Sequence, residues 1–440
     1  MKNPAYTEPW IITTDEDREK THLLNTSMDL GPLLDRVEDA RFVLLGEASH
    51  GTHEYYTWRT AITKLLVDKK GFNIVAVEGD WPDCYKLNRY IKGYDFPGKD
   101  AHDILRTFDR WPTWMWANWE IVALINWLKE KNAGRYQNQK VGFYGLDVYS
   151  LWESMQTMFD YLEKADPSAA AIARKAIECF EPFGEDGRNY AESWRSLPDS
   201  CREPVIKLLT TLRQRSATYD HDPEAALNME QNALVAVNAE AYYRNMIGFY
   251  DNTWNLRDTH MVDTLNRIMA FYGPQAKAVV WEHNTHIGDA RYTDMRKAGM
   301  INTGQLVREQ NSETDVVLVG FGSYSGTVMA GKRWGAPMQE MDMPPAKNGS
   351  VEALLHAESP RTRLLVFDRH NKKERFGKEM PHRAIGVVYE PGLERYHNYV
   401  PTILNARYDA FIYIDETKAL HPLHLHPDPK KSPDTYPFEF

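Results

Sequence analysis

RFVLLGEASHGTHEYYTWR, residues 41–59, joins a short apolar run to a polar turn and then to a helix-like segment. The run Phe42-Val43-Leu44-Leu45 stops at Gly46, and Glu47, Ser49, His50, His53 and Glu54 follow at once. A brief, continuous apolar run bounded by glycine is the pattern of a strand buried on both faces. A strand that breaks at glycine and presents an acid and an imidazole beyond its end reads as the floor of an active site. The same residues could instead cap and hydrogen-bond an ordinary strand–loop–helix junction. The helix over 53–69 has an apolar face in Tyr56, Thr60, Ile62, Leu65 and Leu66, carries Arg59, and ends in Lys69-Lys70-Gly71, as helix C-termini favour.

Outward from this stretch the pattern recurs. Residues 73–77 form a second apolar run that enters Glu78-Gly79-Asp80, and a helix is expected from Trp81 to about Lys92. Residues 141–144 form a third, ending at Gly145-Leu146-Asp147. Strand, polar end and helix in repetition predict an α/β fold, a mainly parallel sheet flanked by helices. Ligands of such sheets lie beyond the carboxyl ends of the strands, where Glu47, Glu78 and Asp147 all fall. Residues 277–281 resume the pattern and deliver Glu282, His283 and His286. Further strands are expected at 316–319, 364–367, 385–389 and 410–414.

The intervening segments divide the chain. Residues 1–40 read as an arm and a helix containing Leu23 to Val37, with a break at Gly31-Pro32. Residues 41–150 make a first α/β half. There the aromatic run 111–119 opens a helix, and its rings, Trp116 among them, either pack or wall a cleft. Residues 151–272 lack strand patterns and predict a large helical insertion, a cap beside the sheet. Its Arg257-Asp258-Thr259-His260 cluster is either a solvated face with an internal ion pair or a contributor to the site, Arg257 first. Residues 273–415 make a second α/β half, and 416–440 a tail rich in Pro and His. His421, His424 and His426 invite a metal reading, but proline-broken polar tails are expected to be disordered or draped.

Composition excludes several classes. At 440 residues, 42% apolar and 26% charged, the chain is that of a globular protein with more than one compact core. A net charge of −10 argues against nucleic-acid partners. No apolar run is long enough to span a membrane, and no signal peptide is visible at Met1. Three widely separated cysteines, Cys84, Cys179 and Cys201, suggest no disulfide framework and a reducing, cytoplasmic setting. Oligomeric state is not legible.

Standard catalytic templates are missing. Residues 322–326 place Tyr324 where a nucleophile elbow needs serine, His53-Glu54 is not followed by the second histidine of a zinc helix, and no phosphate-binding loop occurs. Two readings remain. In one, His50 takes a proton from water, Glu47 or Glu78 orients it, and Arg59 or His286 stabilises the oxyanion. In the other, the pairs His50/His53 and His283/His286, with carboxylates, hold a divalent metal. The metal-free hydrolase is preferred, with no cofactor expected.

Several motifs together carry a family resemblance: LLGEASHGTHEYYTWR (44–59), GFNIVAVEGDWPDCYKLNRYIKG (71–93), FYGLDVYSLW (143–152), WNLRDTHM (254–261) and VVWEHNTHIGDAR (279–291). The chain resembles the erythromycin esterase family, whose members are often labelled succinoglycan-biosynthesis proteins. The resemblance implies hydrolysis of a macrocyclic lactone ester, a small-molecule substrate, by histidine-activated water without a serine nucleophile. It implies a deep cleft, His50 as general base, Glu47 as its supporting acid, Arg59 and Glu78 as functional residues, and functional histidines at His283 and His286, of which His286 is favoured. Beside it, the reading of the residues offers His283, Arg257, Asp147 and Trp116 to bind substrate or support these. No metal is implied for the esterases; more distant, metal-dependent relatives would use Glu47, His50, Glu78 and His286. Glu282 departs from the family's pattern, in which alanine stands before the histidine. The rival readings are a metal-dependent hydrolase or transferase of succinoglycan-type polysaccharide metabolism, and a binding protein without turnover.

Overall fold

Phe42–Leu45 is a strand with every side chain buried, inside a nine-stranded sheet. In this computed structural model the described residues are 20–424, apart from 97, 185–186, 194–200, 216–217, 220–223, 247–252 and 369–375. The strands are β1 (Lys20–Leu23), β2 (Phe42–Leu45), β3 (Ile74–Asp80), β4 (Gly142–Asp147), β5 (Ala278–Trp281), β6 (Val316–Gly331), β7 (Met338–Met343), β8 (Arg363–Val366), β9 (Glu379–Arg383), β10 (Tyr399–Ile403) and β11 (Ala410–Thr417). The main sheet has the order β1-β8-β11-β6-β2-β5-β3-β4, with β7 paired to β6. From β11 to β4 all neighbours are parallel. Strand β8 joins β11 antiparallel, β1 joins β8 antiparallel, and β7 turns back along the second half of β6. The expected α/β class, a mainly parallel sheet flanked by helices, is the fold observed.

The two-residue period of a strand divides the runs between two cores. Val43, Leu45, Val75, Val77, Val279 and Trp281 pack on one face with the helices His53–Lys69 and Trp119–Asn132. Phe42, Leu44, Ile74, Ala76, Ala278 and Val280 pack on the other with Met261, Val262, Leu265 and Ile268 of the helix Thr253–Tyr272. Both faces are covered, which is why these strands read as continuous apolar runs rather than as alternations. The helices between Leu151 and Asn245 bury a third cluster of their own, including Met155, Leu162, Ala173, Val205, Leu208 and Met229. Among the described residues no strand occurs from 148 to 277.

Several expectations are corrected. Lys20–Leu23 is the edge strand β1, not helix; the helical periodicity belongs to Ser27–Leu30 and Gly31–Val37. Gly31-Pro32 begins a helix, since proline at its first turn forfeits no intrahelical bond. Residues 385–389 are not a strand: Ile385 and Val388 make single bridges, to Ser49 and Gly331. Ile385 and Tyr389 are drawn instead into a small cluster with Val328, Ala330, Met341 and Met343 on the β6–β7 ribbon. The strand pair of this region is β9–β10, a separate two-stranded sheet. Cys179 and Cys201 form a disulfide, which overturns the reading of unpaired cysteines and removes their argument for a reducing compartment; Cys84 is free and buried. The tail is draped as far as His424, with Leu420 and Leu423 buried, whereas His426 lies outside the described residues. Among those residues no helix is long and apolar enough to cross a membrane.

Candidate active site

Strands β2, β5, β3 and β4 are consecutive neighbours in the sheet, so their carboxyl ends form one continuous edge. Register fixes it: Leu45 and Val77 both pair with Trp281, and Asp80 pairs with Asp147. Residues just past those positions are Glu47 and His50, Glu78, Asp147, and Glu282 to His286. The turn after β2 is tight. A Cβ on Gly46 would lie 2.0 Å from Asn284 Oδ1, and the Asn284 amide donates to Glu47 O at 2.8 Å. Glycine there lets the β2 and β5 ends approach closely enough to share one site.

Glu47 is the hinge of the first cluster. Its Oε1 lies 3.0 Å from His50 Nδ1, and its Oε2 accepts from Arg59 Nη2 at 2.7 Å. Arg59 is wholly buried, with its guanidinium over the rings of Tyr56 and Trp281 at 4.3 and 4.5 Å. Arg59 is thus held between Glu47 and the rings of Tyr56 and Trp281. A buried carboxylate needs such a partner to remain charged. With Nδ1–H given to Glu47, His50 presents Nε2 as its basic nitrogen.

The second cluster centres on Arg257, from the helix Thr253–Tyr272. Its Nε and Nη2 donate to Asp147 at 2.8 and 2.6 Å, and Nη2 also donates to Glu78 Oε1 at 2.7 Å. Its Nη1 lies 2.9 Å from His286 Nε2. His286 Nδ1 lies 3.0 Å from each oxygen of Asp258, which also accepts from Thr303 N at 2.9 Å, and the His286 ring stacks on Trp254 at 4.4 Å. Burial opposes a charge on His286, but Asp258 and Glu78 outweigh it and Arg257, leaving the imidazole above its ordinary pKa. Burial also pushes the Glu78 carboxyl up, yet His286, Arg257 and His50 hold it well below the usual carboxylate range.

The two clusters meet at His283. Its ring is 4.8 Å from that of His50, and its backbone amide donates to Glu78 Oε2 at 2.8 Å. Its Nδ1 accepts from Thr285 N at 3.2 Å, so the neutral ring carries its proton on Nε2. Burial, with His50 alongside, holds this imidazole well below its ordinary pKa. Trp116 braces the same edge, its Nε1 donating to Glu78 O at 3.0 Å.

The structure thus brings together His50, Glu47, Arg59, Glu78, His283, His286, Arg257 and Asp147. His53 is not brought in; its Nδ1 lies 2.6 Å from Glu120 Oε1. Glu47, His50, Glu78 and His286 do not gather as a metal set. Glu47 is shared between Arg59 and His50, and both nitrogens of His286 face other side chains. Among the described residues, the groups of three that bring ligand atoms within 4.8 Å of one another are His53, Glu120, His421 and Asp100, His102, Asp103. Sequence reasoning missed Asp258. Its signal was the charged cluster at 257–260, where helical spacing could not separate a surface ion pair from a site. His260 of that cluster turns instead to Asn238, 2.8 Å away.

Known proteins share this arrangement of chain. The erythromycin esterase family model matches residues 67–417. Erythromycin esterase type II of Escherichia coli is 22% identical over 368 residues, covering 78% of this chain and 85% of that protein. A crystal structure of a succinoglycan biosynthesis protein superposes with a TM-score of 0.72 at 22% identity, covering 91% of this chain and 95% of that one. A mutant erythromycin esterase in its open conformation superposes with a TM-score of 0.64 at 16% identity, covering 89% and 94%.

Proposed function

Because the chain belongs to the erythromycin esterase family, we propose that it hydrolyses an ester or lactone of a bulky small molecule, using water activated by His50. The observation that carries this reading is the chain of contacts Arg59–Glu47–His50, at 2.7 and 3.0 Å. Arg59 is paired with Glu47, Glu47 holds the Nδ1–H of His50, and Nε2 is left with a lone pair for the reaction. Water gives its proton to Nε2 as its oxygen bonds to the carbonyl carbon, and the carbonyl electron pair moves onto oxygen. The imidazolium is stabilised by Glu47, as in hydrolytic triads. Arg257, held on Asp147, Glu78 and His286, supplies the positive field for the oxyanion. When the tetrahedral centre collapses, the alkoxide leaves and takes the proton from His50. His283, neutral and beside His50, does not compete for that proton.

The test is a panel of macrolides and simpler lactones with the wild-type chain and His50→Ala. Loss of about 10²–10⁴-fold in kcat, with KM little changed, is expected for removal of a general base. Equal rates for the two proteins would sink the mechanism. Turnover of no member of the panel by the wild type would sink the substrate class.

A further inference from the structure

His53, which the candidate active site does not use, sits in a second group of ligand-type side chains. Three segments far apart in sequence meet there: the start of the helix His53–Lys69, the first turn of the helix Trp119–Asn132, and the segment after β11. Glu120 is buried, and its Oε1 lies 2.6 Å from His53 Nδ1 and 2.7 Å from His421 Nδ1. The two imidazoles stand edge to face, 5.2 Å apart. Both nitrogens approach one oxygen of the carboxylate, and Oε2 accepts from the His421 amide at 3.4 Å. Two imidazole nitrogens and a carboxylate oxygen, all within 4.8 Å of one another, are a donor set that a transition metal takes.

The backbone around the group is fixed. His53 N donates to Lys418 O at 2.8 Å, Leu420 N to Gly51 O at 3.0 Å, Trp119 N to His421 O at 3.0 Å and Leu423 N to Ala117 O at 2.9 Å. His421 is therefore held in place on both sides, and its ring position costs little further ordering. The side chain of Glu120 is 1% exposed, that of His53 15% and that of His421 31%, which leaves a path for an ion from solvent. The neighbouring group Asp100, His102, Asp103 lacks this logic: Asp100 and Asp103 satisfy each other's amides as a helix capping box, and His102 stacks on Trp119.

We propose that His53, Glu120 and His421 bind one divalent transition metal ion of the zinc class, which pins the segment after β11 to the two helices. Each imidazole coordinates through Nδ1 and carries its proton on Nε2. Water completes the shell of the three-ligand site. An ion about 2.0–2.1 Å from each ligand keeps tetrahedral neighbours about 3.3 Å apart, so the rings retreat by roughly 0.6 Å on loading. The site is separate from the His50 centre and takes no part in the reaction proposed above.

Calorimetric titration of the chelator-treated full chain with Zn²⁺, with visible spectra of its Co²⁺ form, tests this. One ion per chain is expected, with binding at least about 30-fold weaker in His53→Ala and in His421→Ala and unchanged in His50→Ala. A Tm rise of about 3–5 °C is expected at a hundredfold excess over Kd. Circular dichroism confirms that each variant is folded, and His421, at the rim, is the variant least able to disturb the core. No binding at 100-fold molar excess of Zn²⁺, or binding lost in His50→Ala and kept in His421→Ala, would overturn the proposal.

Discussion

Glu282 is a carboxyl group with no place for a charge. It is fully buried, and neither oxygen meets a hydrogen-bond partner at ordinary geometry among the described residues, the nearby Thr303 hydroxyl offsetting burial only in part. Burial, with Asp258 and Glu78 nearby, holds its pKa well above the usual carboxylate range. The folded state therefore keeps a proton that the unfolded chain releases above about pH 4.3. Stability contributed by this group is complete below that pH and declines as pH rises toward the raised folded value. Glu282→Gln keeps the shape and removes the titration. Its Tm should match wild type at pH 4 and exceed it increasingly from pH 6 to 8; a variant that melts at or below wild type at pH 8 would contradict a protonated Glu282. At this scale the sequence was half legible. Glu47, His50 and Glu78 announced themselves by standing just past apolar runs. Arg59 pairs with Glu47, which a helix position does not reveal, since it cannot tell whether a guanidinium faces solvent, substrate or a carboxylate. Asp258 was hidden because its partner, His286, is brought to it only by tertiary packing.

The element that makes the site is the junction of β2 with the turn that follows. Gly46 is confined by Asn284, whose Nδ2 donates to Phe321 O at 2.6 Å and whose Oδ1 accepts from Phe321 N at 3.2 Å. Asn284 cannot retreat without breaking its hold on β6, so an added methyl must displace the Glu47 turn. Gly46→Ala should destabilise by about 3 kcal/mol, the upper part of the range for overpacking, and should reduce hydrolysis as His50 shifts. Urea unfolding checks it: a midpoint unchanged from wild type would show that the junction yields. Strands of this kind were legible because β2, β3, β4 and β5 are buried on both faces and need no partner to explain their composition. Those that went unread depend on context. Strand β1 pairs only at the sheet edge, β6 continues beyond the expected 316–319 through Gly320, Gly322 and Gly326, and β9 and β10 contain Pro381 and Pro401. Ile385–Tyr389 looked like a strand because β-branched composition cannot distinguish a ladder from a cluster beneath a ribbon.

At the scale of the molecule, two cores clasp one sheet and a third belongs to helices. The described residues of 151–272 hold helices and no strand, in accord with the lack of alternation there, which does not show how the helices divide. The helix Thr253–Tyr272 packs on the sheet and delivers Arg257 and Asp258, while the helices from Leu151 to Asn245 pack largely on one another. The Cys179–Cys201 disulfide lies within that helical layer and spans a sequence separation of 22. Cysteine counting missed it because pairing depends on how the helices Pro167–Phe180 and Arg202–Arg215 are set, not on spacing. A cross-link of this length stabilises the layer by about 3 kcal/mol, mainly by restricting its unfolded states. Cys179→Ser with Cys201→Ser should therefore loosen the layer and spare the site, since no residue of the Glu47 or Arg257 clusters belongs to the third core. Hydrogen exchange provides the readout. Amides of 151–180 and 202–245 should exchange faster by about 10²-fold through sub-global opening, while β2, β3 and β5 keep their protection and hydrolysis its rate. Equal acceleration in the strands would mean that sheet and helices open as one unit, and the separation of stabilising layer from reacting edge would fail.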